Sequence, residues 1–168
     1  EFMFFVLLAG WSMFYLLKTY FLKDEKLAQL LAICYMLSGF MVGSTQWLLY
    51  ITAASFVPLV ISSLLKLLYT PSLKSAFQFG IVYTLMFTSV YAAFNIITTY
   101  SLVIFVLAWL GLAKTERKVK AITFRYISLA AVFVVLLCAP CLYYTLEVLN
   151  HIARGNEISS DITFFSSN

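Results

Sequence analysis

The chain has 168 residues, of which 63% are apolar and 11% charged, with a mean hydropathy of +0.97 and a formal net charge of +4. A water-soluble domain of this size needs far more charge to cover its surface, and long unbroken apolar runs exclude the alternating strands of a membrane β-barrel. What remains is an all-α polytopic membrane protein, in which a net positive charge is the ordinary product of basic cytoplasmic loops and no signal for nucleic acid.

Glu1-Phe2 ahead of Met3 reads as a cloning scar, which leaves 3–149 as the membrane domain and 150–168 as a polar tail on the non-cytoplasmic side. The first predicted span runs from Phe4 to Phe21 and closes on the charged turn Lys23-Asp-Glu-Lys26. It is read as a retained helix, since no basic segment precedes it and no small-x-small cleavage site follows. From Leu27 to about Tyr69 the chain is one predominantly apolar run. As one helix this run would be about 64 Å long, against a hydrocarbon core of about 30 Å, so it must fold back. The best break is Gly43-Ser-Thr-Gln46, giving spans at Leu27–Val42 and Trp47–Tyr69.

Thr70-Pro-Ser-Leu-Lys-Ser75 is a predicted turn, because Pro71 cannot continue a helix. The run from Ala76 to Ala113 must also fold back, and the cluster Asn95-Ile-Ile-Thr-Thr99 is the expected break. That places a fourth span at Ala76–Phe94 and a fifth at Tyr100–Ala113. A basic stretch follows with Lys114, Arg117, Lys118, Lys120 and Arg125, and a sixth span extends from Ala121 or Phe124 to about Leu149.

Charge placement agrees with this six-helix bundle. Of the eleven Lys and Arg residues, all but Arg154 fall at the turns after spans one, three and five or at the adjoining span ends. Such alternation is the positive-inside pattern with both termini on the non-cytoplasmic side of a bacterial inner membrane or the endoplasmic reticulum. Tyrosines and tryptophans gather at both interfaces: Trp47, Tyr50, Tyr91, Tyr100, Tyr143 and Tyr144 outside, Tyr20, Tyr69, Trp109 and Tyr126 inside. Three spans followed by three that enter from the other side match an inverted repeat in topology, without sequence similarity between the halves.

Chemistry-bearing motifs are few. Cys138-Ala-Pro-Cys141 has the spacing of a redox pair, but Cys34 is the sole further thiol, and thiols buried in hydrocarbon more often act as inert apolar filler. Pro58 and Pro140 are expected to kink spans three and six. Gly39 and Gly43, four apart, suit either a seam with a second chain or, more readily, packing inside one chain. Lys18, Lys66 and Glu147 are the ionisable residues nearest the spans, and all lie at span ends where they can snorkel. This counts against a proton-coupled pump, a charged-ring channel or a voltage sensor. His151 has no partner ligands nearby in sequence, so no metal, haem or other cofactor is expected.

Uncharged polarity is what the spans retain, in Ser38, Thr52, Ser55, Ser62, Ser63, Thr84, Thr88 and Ser89. The leading expectation is a non-enzymatic protein, an interaction subunit or membrane sensor that works by helix–helix contact with a membrane partner or a second copy. The alternative is a small transporter or binding protein for a neutral or lipid-like molecule, held in a cavity reached by Ser62, Ser63, Thr88 and Ser89. A thiol oxidoreductase using Cys138 and Cys141 is the third. The basic stretch also suits anionic lipid headgroups.

Overall fold

The computed structural model describes residues 1–44, 47–89, 92–113 and 116–166, with side chains described as far as Val148. Seven helices follow in order: α1 (Phe2–Leu16, extended by a π turn over Leu17–Phe21), α2 (Glu25–Met36), α3 (Gly39–Gly43), α4 (Leu48–Tyr69), α5 (Leu73–Ser89), α6 (Ala92–Leu112) and α7 (Arg117–Ser166). No strand occurs among the described residues. Among the described residues, five segments are long and apolar enough to cross a membrane: Phe2–Phe21, Glu25–Gly43, Leu48–Tyr69, Ala93–Leu112 and Arg117–Val148. Helix α5 has 17 residues. Lys114, Gln46, Tyr91 and the side chain of His151 lie outside the described residues.

Helix ends are set by local chemistry. Asp24 caps α2 by accepting from the Lys26 N–H at 2.9 Å, and Ser72 caps α5 by accepting from the Ser75 N–H at 3.2 Å. Ser38 caps α3 and so divides the second span, which the sequence pattern had as one helix from Leu27 to Val42. Of the break expected at Gly43–Gln46, Gly43 ends α3 and Ser44 caps it, while residues 45 and 46 lie outside the described residues. The break expected at Asn95–Thr99 is not found there: these residues are helical, inside α6. The polar tail continues α7 as helical backbone to Ser166.

Helix α4 is the centre of the molecule. Its most apolar stretch is 61% buried, against 6% for α6. It packs against α1 on one side and α5 on the other, while α2 packs on α1 and α7 on α5. Paired residues give the directions. Ser55 meets Phe5 and Tyr69 stacks on Tyr20, so α1 and α4 run parallel. Lys66 reaches Gln78, so α5 returns antiparallel to α4. Tyr83 and Thr99 pair across antiparallel α5 and α6. Helices α5 and α7 run parallel, with Ala76 packed near Ala130 and a Cβ at Gly80 reaching Phe133. The contact at Gly80 is close: an added Cβ would meet Phe133 Cδ1 at 2.6 Å.

Hydroxyl groups bind these helices together through main-chain carbonyls. Pro58 lies inside α4 and has no N–H to give the Ala54 carbonyl four residues back. The Tyr35 hydroxyl of α2 donates to that carbonyl at 2.8 Å. Beside it, Ser12 Oγ of α1 lies 3.0 Å from the Ser55 carbonyl, and Ser55 Oγ lies 2.6 Å from the Phe5 carbonyl. A proline in a membrane helix is tolerated when neighbouring side chains satisfy what it frees, and here Tyr35 of α2 does so.

Candidate functional site

The weak packing of α6 has a structural cause. It is held near its ends and is open between them. Near its start, Asn95 Nδ2 donates to the Phe87 carbonyl of α5 at 2.8 Å. Phe94 there packs against Phe40 and Tyr50. At its far end, the Lys120 ammonium donates to the Leu110 carbonyl at 2.6 Å, a cation at a helix C-terminus.

Between these ties lies a cavity of about 500 Å³, walled by α5, α6 and α7 with Leu64 of α4 at its base. Each wall is one helical face. Helix α5 contributes Phe79, Tyr83 and Phe87, four residues apart, with ring centroids 5.8 Å and 6.4 Å apart in succession. Helix α6 contributes Thr99, Val103, Val106 and Leu110, at spacings of three and four. Helix α7 contributes Phe124, Ile127, Ala131, Val134, Cys138 and Leu142 in the same rhythm. Measured along α6, the lining from Thr99 to Leu110 extends over about 16 Å. The small Ala131 and the short Val103 and Val106 leave space that larger residues would fill.

No charged side chain lines this cavity. Its one polar pair is Tyr83 and Thr99, toward the start of α6. Thr99 Oγ1 is also 2.5 Å from the Asn95 carbonyl. A threonine hydroxyl has one proton, so when Thr99 donates to that carbonyl, Tyr83 is the donor to Thr99. Volume and lining match small-molecule sites, which are mostly apolar with a few placed polar groups. Among the described residues no cluster of His, Cys, Asp and Glu could hold a metal.

The residues singled out in the sequence are dispersed. Ser62 and Ser63 are buried in α4, where Ser63 Oγ returns to its own helix at the Val60 carbonyl, 2.9 Å away. Thr88 is exposed and bonds to the Thr84 carbonyl of its own helix at 3.0 Å. None of these three lines the cavity, and Ser89 lines a separate cleft of about 440 Å³ with Glu1, Phe4 and Thr52. That cleft depends on Glu1, one of the two residues read as a cloning scar. Ser62, Ser63, Thr88 and Ser89 thus do not share one cavity, and the larger cavity has an aromatic and aliphatic lining. Each of those hydroxyls except Ser89 is turned to its own helix or buried in α4.

Cys138 and Cys141 are both unbridged. Cys138 is buried on the cavity wall beside Thr84, and Cys141 is exposed one turn on. Cys34 lies on α2, which packs on α1. Pro58 and Pro140 both lie inside continuous helices. At Gly39 and Gly43 nothing among the described residues lies within 4 Å of where a Cβ would stand. Arg117, Lys118 and Arg125 are exposed, whereas Lys120 is half-buried in its contact with α6.

The sequence reading missed Tyr83, Thr99, Tyr35 and Ser12. For the α5 wall a signal was present: Phe79, Tyr83 and Phe87 form a stripe at helical spacing, read only as general aromatic content. Comparison of the chain with family models, with curated proteins and with solved structures finds no match.

Proposed function

We propose that the chain is a multi-pass membrane protein that binds a lipid-like molecule in the cavity between α6 and the α5–α7 wall, as the core of a binding or transport function. The observation that carries this is the 500 Å³ apolar cavity, whose only polar pair, Tyr83 and Thr99, sits at one end. An apolar chain with one hydrogen-bonding group fits such a lining. Helix α6, tied near its ends and packed little between, is the element able to give way to a guest.

The binding reading rests on six crossings. Helix α5 adds a sixth to the five long apolar helices: 17 residues rise about 25 Å, near the lower limit for a span. Alternating helix directions and the basic residues at one set of ends favour the same threading, with both termini on the non-cytoplasmic side. Single cysteines placed at Ser44 and Ser72 in a cysteine-free background test it. Impermeant maleimide is expected to reach the first from outside and the second only from the cytoplasmic side; the same side for both refutes the threading.

The binding reading is tested by native mass spectrometry of the protein extracted from its own membrane in mild detergent. A defined lipid-like adduct is expected, lost in Val106→Trp, which fills the cavity from α6. A protein that carries no adduct, or one that Val106→Trp leaves in place, refutes the cavity as the site. A second reading, helix–helix contact with another copy, is favoured by the uncovered faces of Gly39 and Gly43. It predicts a dimer in the same spectrum that Gly39→Leu abolishes.

A further inference from the structure

One face of α7 joins two features that the sequence holds apart. Phe124, Ile127, Ala131, Val134, Cys138 and Leu142 line the cavity at intervals of three and four. Continued toward the helix start, the same stripe passes through Lys120 and Arg117, at intervals of four and three. Lys120 holds the Leu110 carbonyl at 2.6 Å, and Leu110 is itself a wall residue, so this ammonium stands at the cavity mouth. A lysine ammonium has three N–H groups, of which this contact uses one. Arg117 is the first helical residue of α7, where the unpaired N–H groups and the helix dipole also favour an anion. Lys118 is exposed in the same turn, and Glu116 is the acidic residue beside it. At the opposite end the cavity has uncharged Tyr83 and Thr99.

Resting on the binding reading above, we infer that the occupant is an anionic phospholipid, its phosphate on Lys120 and Arg117 at the basic mouth and its acyl chain along the α7 stripe. Charge complementarity sets the direction: phosphate pairs with guanidinium and ammonium, and nothing charged meets the chain beyond Leu110. A zwitterionic lipid of the same chains fills the cavity equally but forfeits most of the electrostatic gain. Two cations near a membrane surface correspond to about a thirtyfold preference for the anionic lipid.

The test is native mass spectrometry of the delipidated full chain in a neutral detergent. Phosphatidylglycerol, phosphatidylcholine of identical chains and inorganic phosphate are each titrated. The expected result is phosphatidylglycerol held about thirtyfold more tightly than phosphatidylcholine. Arg117→Gln with Lys120→Gln should erase the preference, whereas Lys120→Arg and the remote Lys26→Gln should keep it. Val106→Trp should release both lipids; if that variant does not fold, Ala131→Leu narrows the opposite wall. Equal retention of both lipids, with Val106→Trp releasing both, overturns the anionic headgroup and leaves the cavity reading standing. Retention of both lipids in Val106→Trp and in Ala131→Leu overturns the two together. Displacement of phosphatidylglycerol by inorganic phosphate, with no effect of Val106→Trp, reduces the site to a surface phosphate patch and overturns the inference.

Discussion

Tyr35→Phe removes one oxygen and isolates the tie between α2 and the proline of α4. The wild-type hydroxyl donates at 2.8 Å to the Ala54 carbonyl, which Pro58 leaves without its helical N–H. Ala54 is 7% exposed, so no water replaces the donor. Leaving a buried acceptor unpaired costs about 1–3 kcal/mol. Hydrogen bonds between membrane helices average nearer 0.6 kcal/mol, because the unfolded chain also finds partners in the bilayer. The absent N–H at residue 58 places this bond toward the upper part of that membrane range, at about 1–1.5 kcal/mol. Pro58→Ala returns an N–H to position 58 and gives the carbonyl a second donor. In that background Tyr35→Phe is expected to cost about 0.5 kcal/mol or less. The assay is reversible unfolding of the four proteins of this cycle in mixed micelles with increasing dodecyl sulfate, followed by far-UV circular dichroism. A Tyr35→Phe cost that is the same with Pro58 as with alanine would refute the argument, since the hydroxyl would then act independently of the proline.

Three further outcomes follow from the geometry. Gly80→Leu drives a side chain into Phe133, where even a Cβ would come to 2.6 Å of the ring; a loss of about 1–3 kcal/mol in the same assay is expected, and an unchanged midpoint contradicts the close α5–α7 contact. Glu25→Gln breaks the 2.7 Å ion pair with Lys18, whose two side chains are about half exposed; a change under about 0.5 kcal/mol is expected, and a larger one would show that this turn is more rigid than its exposure implies. Alkylation of the native protein in detergent should modify Cys141 rapidly and Cys138 only after unfolding, since the first is exposed and the second buried; equal rates would place Cys138 outside the cavity wall.

Apolar runs and their lengths made the helical membrane class legible, and Gly43 marked the end of α3. The break at 95–99 was misplaced for a specific reason. Asn95 and Thr99 look like loop residues by composition, yet Thr99 bonds back to the Asn95 carbonyl and the Asn95 side chain reaches the Phe87 carbonyl. Asn95 thus bonds to α5 from within α6, and the polar cluster joins two helices where a loop was expected. The cavity was hidden by a related effect. Hydroxyls were the visible polarity, but serine and threonine in apolar helices satisfy themselves on carbonyls three or four residues back, as Ser63 and Thr88 do. Which helices stand apart is decided by pairwise packing, at Gly80 and at the ends of α6, and no local pattern encodes it.

The hydroxyl ties that join α1 and α2 to α4 end on main-chain carbonyls, at Ala54, Ser55 and Phe5. An acceptor of this kind is present whatever side chain its residue carries. Each tie therefore constrains one position instead of two: Tyr35 must keep a donor, while position 54 is free to vary within its space. Drift at the acceptor positions calls for no compensating change at the donors. Correlated substitution between positions, the usual evolutionary record of spatial contact, will thus be faint for the most deeply buried joins of this molecule and stronger where side chain meets side chain, as at Lys66 with Gln78.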